Sequence, residues 1–67
     1  MNIPKFKGAI AEKGVTQEYV AHAIGIDPST FYRKMASGGD KFTIGEIQRM
    51  VKKIPLTEEE AVIIFLR

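Results

Sequence analysis

The chain predicts an all-α fold, a compact bundle of five short helices, and three observations carry that expectation. Apolar residues recur at the 3.6-residue spacing of helices buried on one face, as in Val20, Ala21 and Ile24, or Phe31 and Met35. Helix start and stop signals punctuate the chain at short intervals: Thr16, Asp27-Pro28, Thr43 and Thr57 open helices, while Gly14, Gly25 and Pro55 close them. No run alternates apolar and polar residues as a half-buried strand does. Sixty-seven residues, 45% of them hydrophobic, make a single domain, residues 1–67, with no room for a second core. A chain this small buries only about 60% of its unfolded surface, so its stability is modest.

The first helix is expected at about Pro4–Lys13, anchored by Phe6 and Ile10 and ended by Gly14. The second, about 17–24, is capped by Thr16 and stopped by Gly25, because glycine takes the left-handed conformation favoured at a helix C-terminus. Ile26 plugs the turn that follows. Asp27-Pro28 starts the third helix, about 28–36: a carboxylate accepts from free amides, and proline lacks an N–H that position N1 does not need. Phe31 and Met35 form its buried stripe, leaving Ser29, Thr30, Tyr32, Arg33 and Lys34 polar. Ser37-Gly38-Gly39-Asp40 is a flexible connection. Thr43-Ile44-Gly45-Glu46 is a capping box that opens a helix at about 44–53, with Ile47, Met50, Val51 and Ile54 inward. Thr57 followed by Glu58-Glu59-Glu60 repeats the device for a fifth helix, about 58–66. There Ala61, Ile64 and Phe65 face the core, and Val62, Ile63 and Leu66 stay partly exposed.

Composition narrows the function classes. The absence of cysteine removes disulfides and thiolate metal sites and fits a reducing cytoplasm. No signal peptide or membrane span is expected, since charges interrupt residues 1–14 and the run AVIIFL is far too short to cross a bilayer. Net charge is only +2, but it is unevenly placed. Residues 1–27 are neutral. Residues 28–55 carry Arg33, Lys34, Lys41, Arg49, Lys52 and Lys53 against Asp40 and Glu46, a net +4, and residues 56–67 a net −2. Positive charge therefore gathers from the third helix onward, the distribution expected of a partner that is a polyanion. Lys52-Lys53 also has a simpler reading as a solvated helix end favoured by the dipole. Catalysis is not expected: one histidine, His22, and two serines offer no nucleophile–base pair, and the glutamates of 58–60 serve a helix start. His22 has no second ligand at metal spacing, so no metal or cofactor is expected. Tyr19 is read as a half-buried packing group.

Thr16-Gln17-Glu18, Ala21, Gly25-Ile26 and Ser29-Thr30 resemble the XRE/Cro-type helix-turn-helix of phage and bacterial repressors, the lambda-repressor-like DNA-binding domain. The resemblance covers roughly residues 5–54 and is clearest over the motif at about 16–35. It implies a regulator bound to operator DNA, cytoplasmic and associated with the nucleoid, that blocks polymerase without ligand or cofactor. In such a motif the second helix lies in the major groove with its N-terminal half toward the bases. Ser29 then reaches a base edge or phosphate, and Tyr32 a thymine methyl or phosphate. Arg33 is the candidate for direct readout, since a guanidinium pairs bidentately with guanine for roughly 1–3 kcal/mol of discrimination; its alternative is a phosphate contact or a plain surface charge. Thr30, Lys34, Lys41 and Thr43 are phosphate candidates, Thr43 competing with its role as a cap. Gln17 occupies the place of a glutamine that, in the resembling repressors, contacts phosphate and braces the start of the second helix. Here Pro28 stands at the braced position without a donor, so the operator code does not carry over.

The resemblance also implies a homodimer through the last helix, with Val62, Ile63 and Leu66 as contacts and half-sites about 10–10.5 bp apart. Against this stands the need of a small core for every aliphatic group. A rival class is a protein-interaction module, antitoxin-like or anti-repressor, docking through residues 58–66. If Arg33, Lys34 and Lys41 are dispensable and Ile63 and Leu66 are not, the rival holds.

Overall fold

The computed structural model describes residues 1–66. Five helices follow in order: α1 (Ile3–Glu12), α2 (Gln17–Ala23), α3 (Pro28–Ala36), α4 (Ile44–Lys53) and α5 (Glu58–Phe65). No strand occurs among the described residues, so the all-α expectation holds. Each helix begins where a side chain can serve the free amides of its first turn. Thr16 accepts from the Tyr19 amide, and both Thr43 with Glu46 and Thr57 with Glu60 form complete capping boxes. The helix ends fall within one residue of those expected. α1 starts earlier than Pro4 because Asn2 caps it, its Oδ1 accepting from the Lys5 amide at 3.1 Å.

The core is one cluster to which every helix contributes a fully buried side chain: Phe6, Val20, Phe31, Met50 and Ile64. Phe31 has ring centroids 6.4 Å from Phe6 and 5.4 Å from Phe42, and Phe65 lies 6.5 Å from Phe6. Such tilted pairs add to what area burial alone contributes. α2 packs on α3 and α4, and α1 packs on α5. Three bonds fasten that second pair: the Asn2 amide donates to the Ile64 carbonyl at 2.7 Å, and Lys13 Nζ meets both Glu60 oxygens at 3.0 and 3.1 Å.

Two expectations about burial are corrected. Val51 is 38% exposed, not inward. At 100° per residue the buried face of α4 runs through Glu46, Ile47, Met50 and Ile54, and Val51 falls on its edge. Tyr19, expected half-buried, is 54% exposed, because Val20, Ala21 and Ile24 fill the inward face of α2. No described helix is long and apolar enough to cross a membrane.

Candidate nucleic-acid interface

α2 and α3 are joined by a tight turn whose geometry the sequence dictates. Gly25 sits at φ +80°, its amide donating to the His22 carbonyl, and the Ile26 amide returns to the Ala21 carbonyl at 3.0 Å. This is a left-handed glycine closing a helix C-terminus, with Ile26 packed against the core beside it. Arg49 of α4 adds a bond that local pattern does not reveal. Its Nε donates to the Ile24 carbonyl, at the C-cap of α2, at 3.0 Å. The turn is thus held from the side by a helix twenty residues further on.

α3 turns Phe31 and Met35 into the core and leaves Ser29, Tyr32, Arg33 and Ala36 exposed. The Tyr32 ring stands edge-on to Phe31 at 6.3 Å and remains 45% exposed, so packing fixes its ring while its outer surface stays available. Arg33 Nη2 donates to Thr30 Oγ1 at 3.0 Å, which draws the guanidinium along the helix toward its N-terminus. Ser29 gives both its amide, at 3.1 Å, and its hydroxyl to the Asp27 carboxylate. Those two bonds, the hydroxyl's first, hold the Asp27 carboxyl below its ordinary range. The cap therefore places an anion at the N-terminus of α3 and engages the Ser29 hydroxyl proton.

The positive groups divide into two kinds. Thr30, Arg33, Lys34 and Lys41 line one shallow depression together with Ser37, a residue the sequence pattern did not single out. Arg33 and Lys41 are exposed there. Lys34 is not free in the same sense: its Nζ lies 2.8 Å from Glu46 Oε1 and 5.6 Å from the centroid of the Phe42 ring. Glu46 is 7% exposed and its Oε1 also accepts from the Thr43 amide at 2.9 Å. The Lys34 bond, opposed by desolvation and aided by the Thr43 amide, holds its carboxyl below the usual range. The Thr43 hydroxyl accepts from the Glu46 amide at 3.1 Å. Lys34 and Thr43 are thus engaged in joining α3 to the start of α4. Gln17 stands apart from this depression, half-buried at the first position of α2.

The three residues expected at a dimer contact line two hollows. Val62, 39% exposed, and the half-buried Ile63 line a hollow beside Glu58 and Glu59, whereas Leu66, 77% exposed, lies with Ile44 and Phe65 in another. Ile44 is 79% exposed, an apolar group on the surface that the capping-box reading of its segment did not anticipate. Comparisons with protein-family models, with curated proteins and with solved structures find no match to this chain.

Proposed function

We propose that this chain is a sequence-specific DNA-binding transcriptional regulator of the repressor or Cro type, acting in the cytoplasm on operator DNA with α3 in the major groove. The observation that carries the reading is the outward face of α3. Ser29, Tyr32 and Arg33 are exposed there, while Phe31 and Met35 anchor the helix from behind. Arg33 reads guanine, its guanidinium steadied by Thr30, and Tyr32 packs on a thymine methyl or reaches a phosphate. Lys41 and Gln17 meet the phosphate backbone on either side, supplying affinity and register. Lys34 and Thr43 are left out of that set because their polar groups are already paired within the fold. No part of this action calls for catalysis or a cofactor: occupying an operator that overlaps a promoter excludes polymerase. A second copy of the chain, joined through the apolar surface of α5, would match a two-fold operator.

Selection of bound duplexes from a random pool tests the reading, with affinity for the winner followed against salt. Enrichment of a near-palindrome and relaxed preference at one position in Arg33→Ala are expected. Absence of enrichment, with binding that vanishes at physiological salt, would refute it. One observation favours a second reading: the exposure of Leu66 and Ile44 suits a protein partner docked on the α5 side. That reading expects Leu66 variants to lose the partner while Arg33→Ala keeps it.

A further inference from the structure

The Lys34–Glu46 pair is the feature of α3 that the proposed DNA reading leaves unused. Lys34 follows Arg33 and shares its depression with Lys41, a position from which an ammonium can reach a phosphate. Three restraints keep it from doing so. Its Nζ is bonded to Glu46, it lies over the Phe42 ring, and its side chain is only 20% exposed. Glu46 in turn cannot follow Lys34 outward, because the same oxygen is bonded to the Thr43 amide and the capping box fixes the side chain at the start of α4.

We propose that Glu46 limits the strength of sequence-independent DNA binding: by holding Lys34 off the phosphate backbone it removes one contact that every duplex offers. The proposal rests on the DNA-binding reading above. Each phosphate neutralised by a cation steepens the fall of log affinity with log salt by about 0.9 and tightens binding to every sequence alike. A freed Lys34 therefore raises affinity for operator and unrelated DNA alike, and most at low salt. Glu46 acts through Lys34 and needs no contact with DNA.

The test uses the full chain and two duplexes, the one selected from the random pool and a scrambled one, titrated at several salt concentrations. Glu46→Gln keeps an acceptor for the Thr43 amide while weakening the hold on Lys34. It is expected to steepen the salt slope by about one unit and to tighten binding to both duplexes alike at low salt. Lys34→Met is expected to leave the slope as in the parent. Lys34→Met combined with Glu46→Gln is expected to restore the parent slope, which separates release of Lys34 from mere loss of a negative charge. An unchanged slope and unchanged affinities in a folded Glu46→Gln would overturn the proposal. A slope reduced by one unit in Lys34→Met would also overturn it, because Lys34 would then already touch phosphate; this holds even where Glu46→Gln does not fold. If the parent chain selects no duplex, the DNA-binding reading fails and takes this proposal with it. If the parent selects one and Glu46→Gln changes nothing, this proposal alone fails.

Discussion

Replacing Arg49 with methionine isolates the bond that ties α4 to the turn between α2 and α3. Arg49 Nε donates to the Ile24 carbonyl at 3.0 Å, and Ile24 itself is 1% exposed. Methionine keeps much of the aliphatic stem and removes the donor, so the change leaves packing nearly intact and the carbonyl without this partner. A hydrogen bond from a charged donor contributes about 1.5–3 kcal/mol. Arg49 is on the surface, where water competes for the freed carbonyl, so the lower end, about 1.5 kcal/mol, applies. For a domain of this size each kcal/mol lowers Tm by about 4–8 °C, which gives a fall of about 6–12 °C.

Thermal unfolding followed by circular dichroism measures this, with Lys52→Met as control. Lys52 is exposed on the same helix and its loss changes net charge identically, so it should stay within about 0.5 kcal/mol of the parent. The damage should also be local. Amide exchange at Gly25 and Ile26, whose bonds close the turn, is expected to quicken in Arg49→Met and not in Lys52→Met. Equal melting of the two variants, with unchanged exchange at the turn, would show that the Arg49 bond contributes nothing and that the turn stands on its glycine alone.

Gly38→Ala and Gly39→Ala share a backbone cost of about 1–2 kcal/mol, since both residues sit at positive φ, +84° and +83°. Only at Gly39 does the new methyl meet another residue, 2.8 Å from Met1 Cβ, so denaturant unfolding should find Gly39→Ala the less stable of the two. Acid unfolding should begin as pH falls through the ordinary carboxylate range. Glu46 and Glu60 are held below their usual 4.5, Glu46 first by Lys34 and Glu60 first by the Thr57 amide, so their stabilisation is full above that value and lost as pH drops through the depressed one. Glu46→Gln should flatten that acid limb in a plot of unfolding free energy against pH. Leu66→Glu, at a site 77% exposed, should leave Tm of the dilute chain within about 2 °C. Under the dimer reading it abolishes concentration-dependent self-association in sedimentation; unchanged association would place the contact elsewhere.

What was legible in the sequence was local. Thr43 with Glu46, Thr57 with Glu60 and Asp27-Pro28 mark helix starts through bonds spanning two or three residues, and all three are formed. Gly25 marks the turn because few other residues take its conformation. The bonds that set helix against helix were not legible. Lys34 finds Glu46 twelve positions away, Arg49 finds Ile24 across twenty-five, and Lys13 finds Glu60 across forty-seven. No short spacing encodes such pairs; they exist only once the core has placed the helices. The same limit misplaced Val51, because apolar character alone put it inward, whereas Glu46 holds a buried place on α4 by pairing with Lys34 and the Thr43 amide.

The fold changes the meaning of the positive charge between residues 28 and 55. Six cations stand there in the sequence, and charge alone would assign all of them to a polyanion. Lys34 is bound to Glu46 and Arg49 to the Ile24 carbonyl, so two of the six act first as internal ties, one from α3 to α4 and one from α4 to the end of α2. Lys52 and Lys53 close the last turn of α4, where the helix dipole already favours them. Arg33 and Lys41 remain as exposed cations beside the outward face of α3. Two such cations neutralise few phosphates, and non-specific affinity rises with that number. Under the proposed function, tight binding would then have to come from base contacts and from a second copy on the same duplex. On that reading, the few free cations beside α3 and the apolar groups exposed at Val62 and Leu66 serve one end, discrimination by base contact and by a second copy.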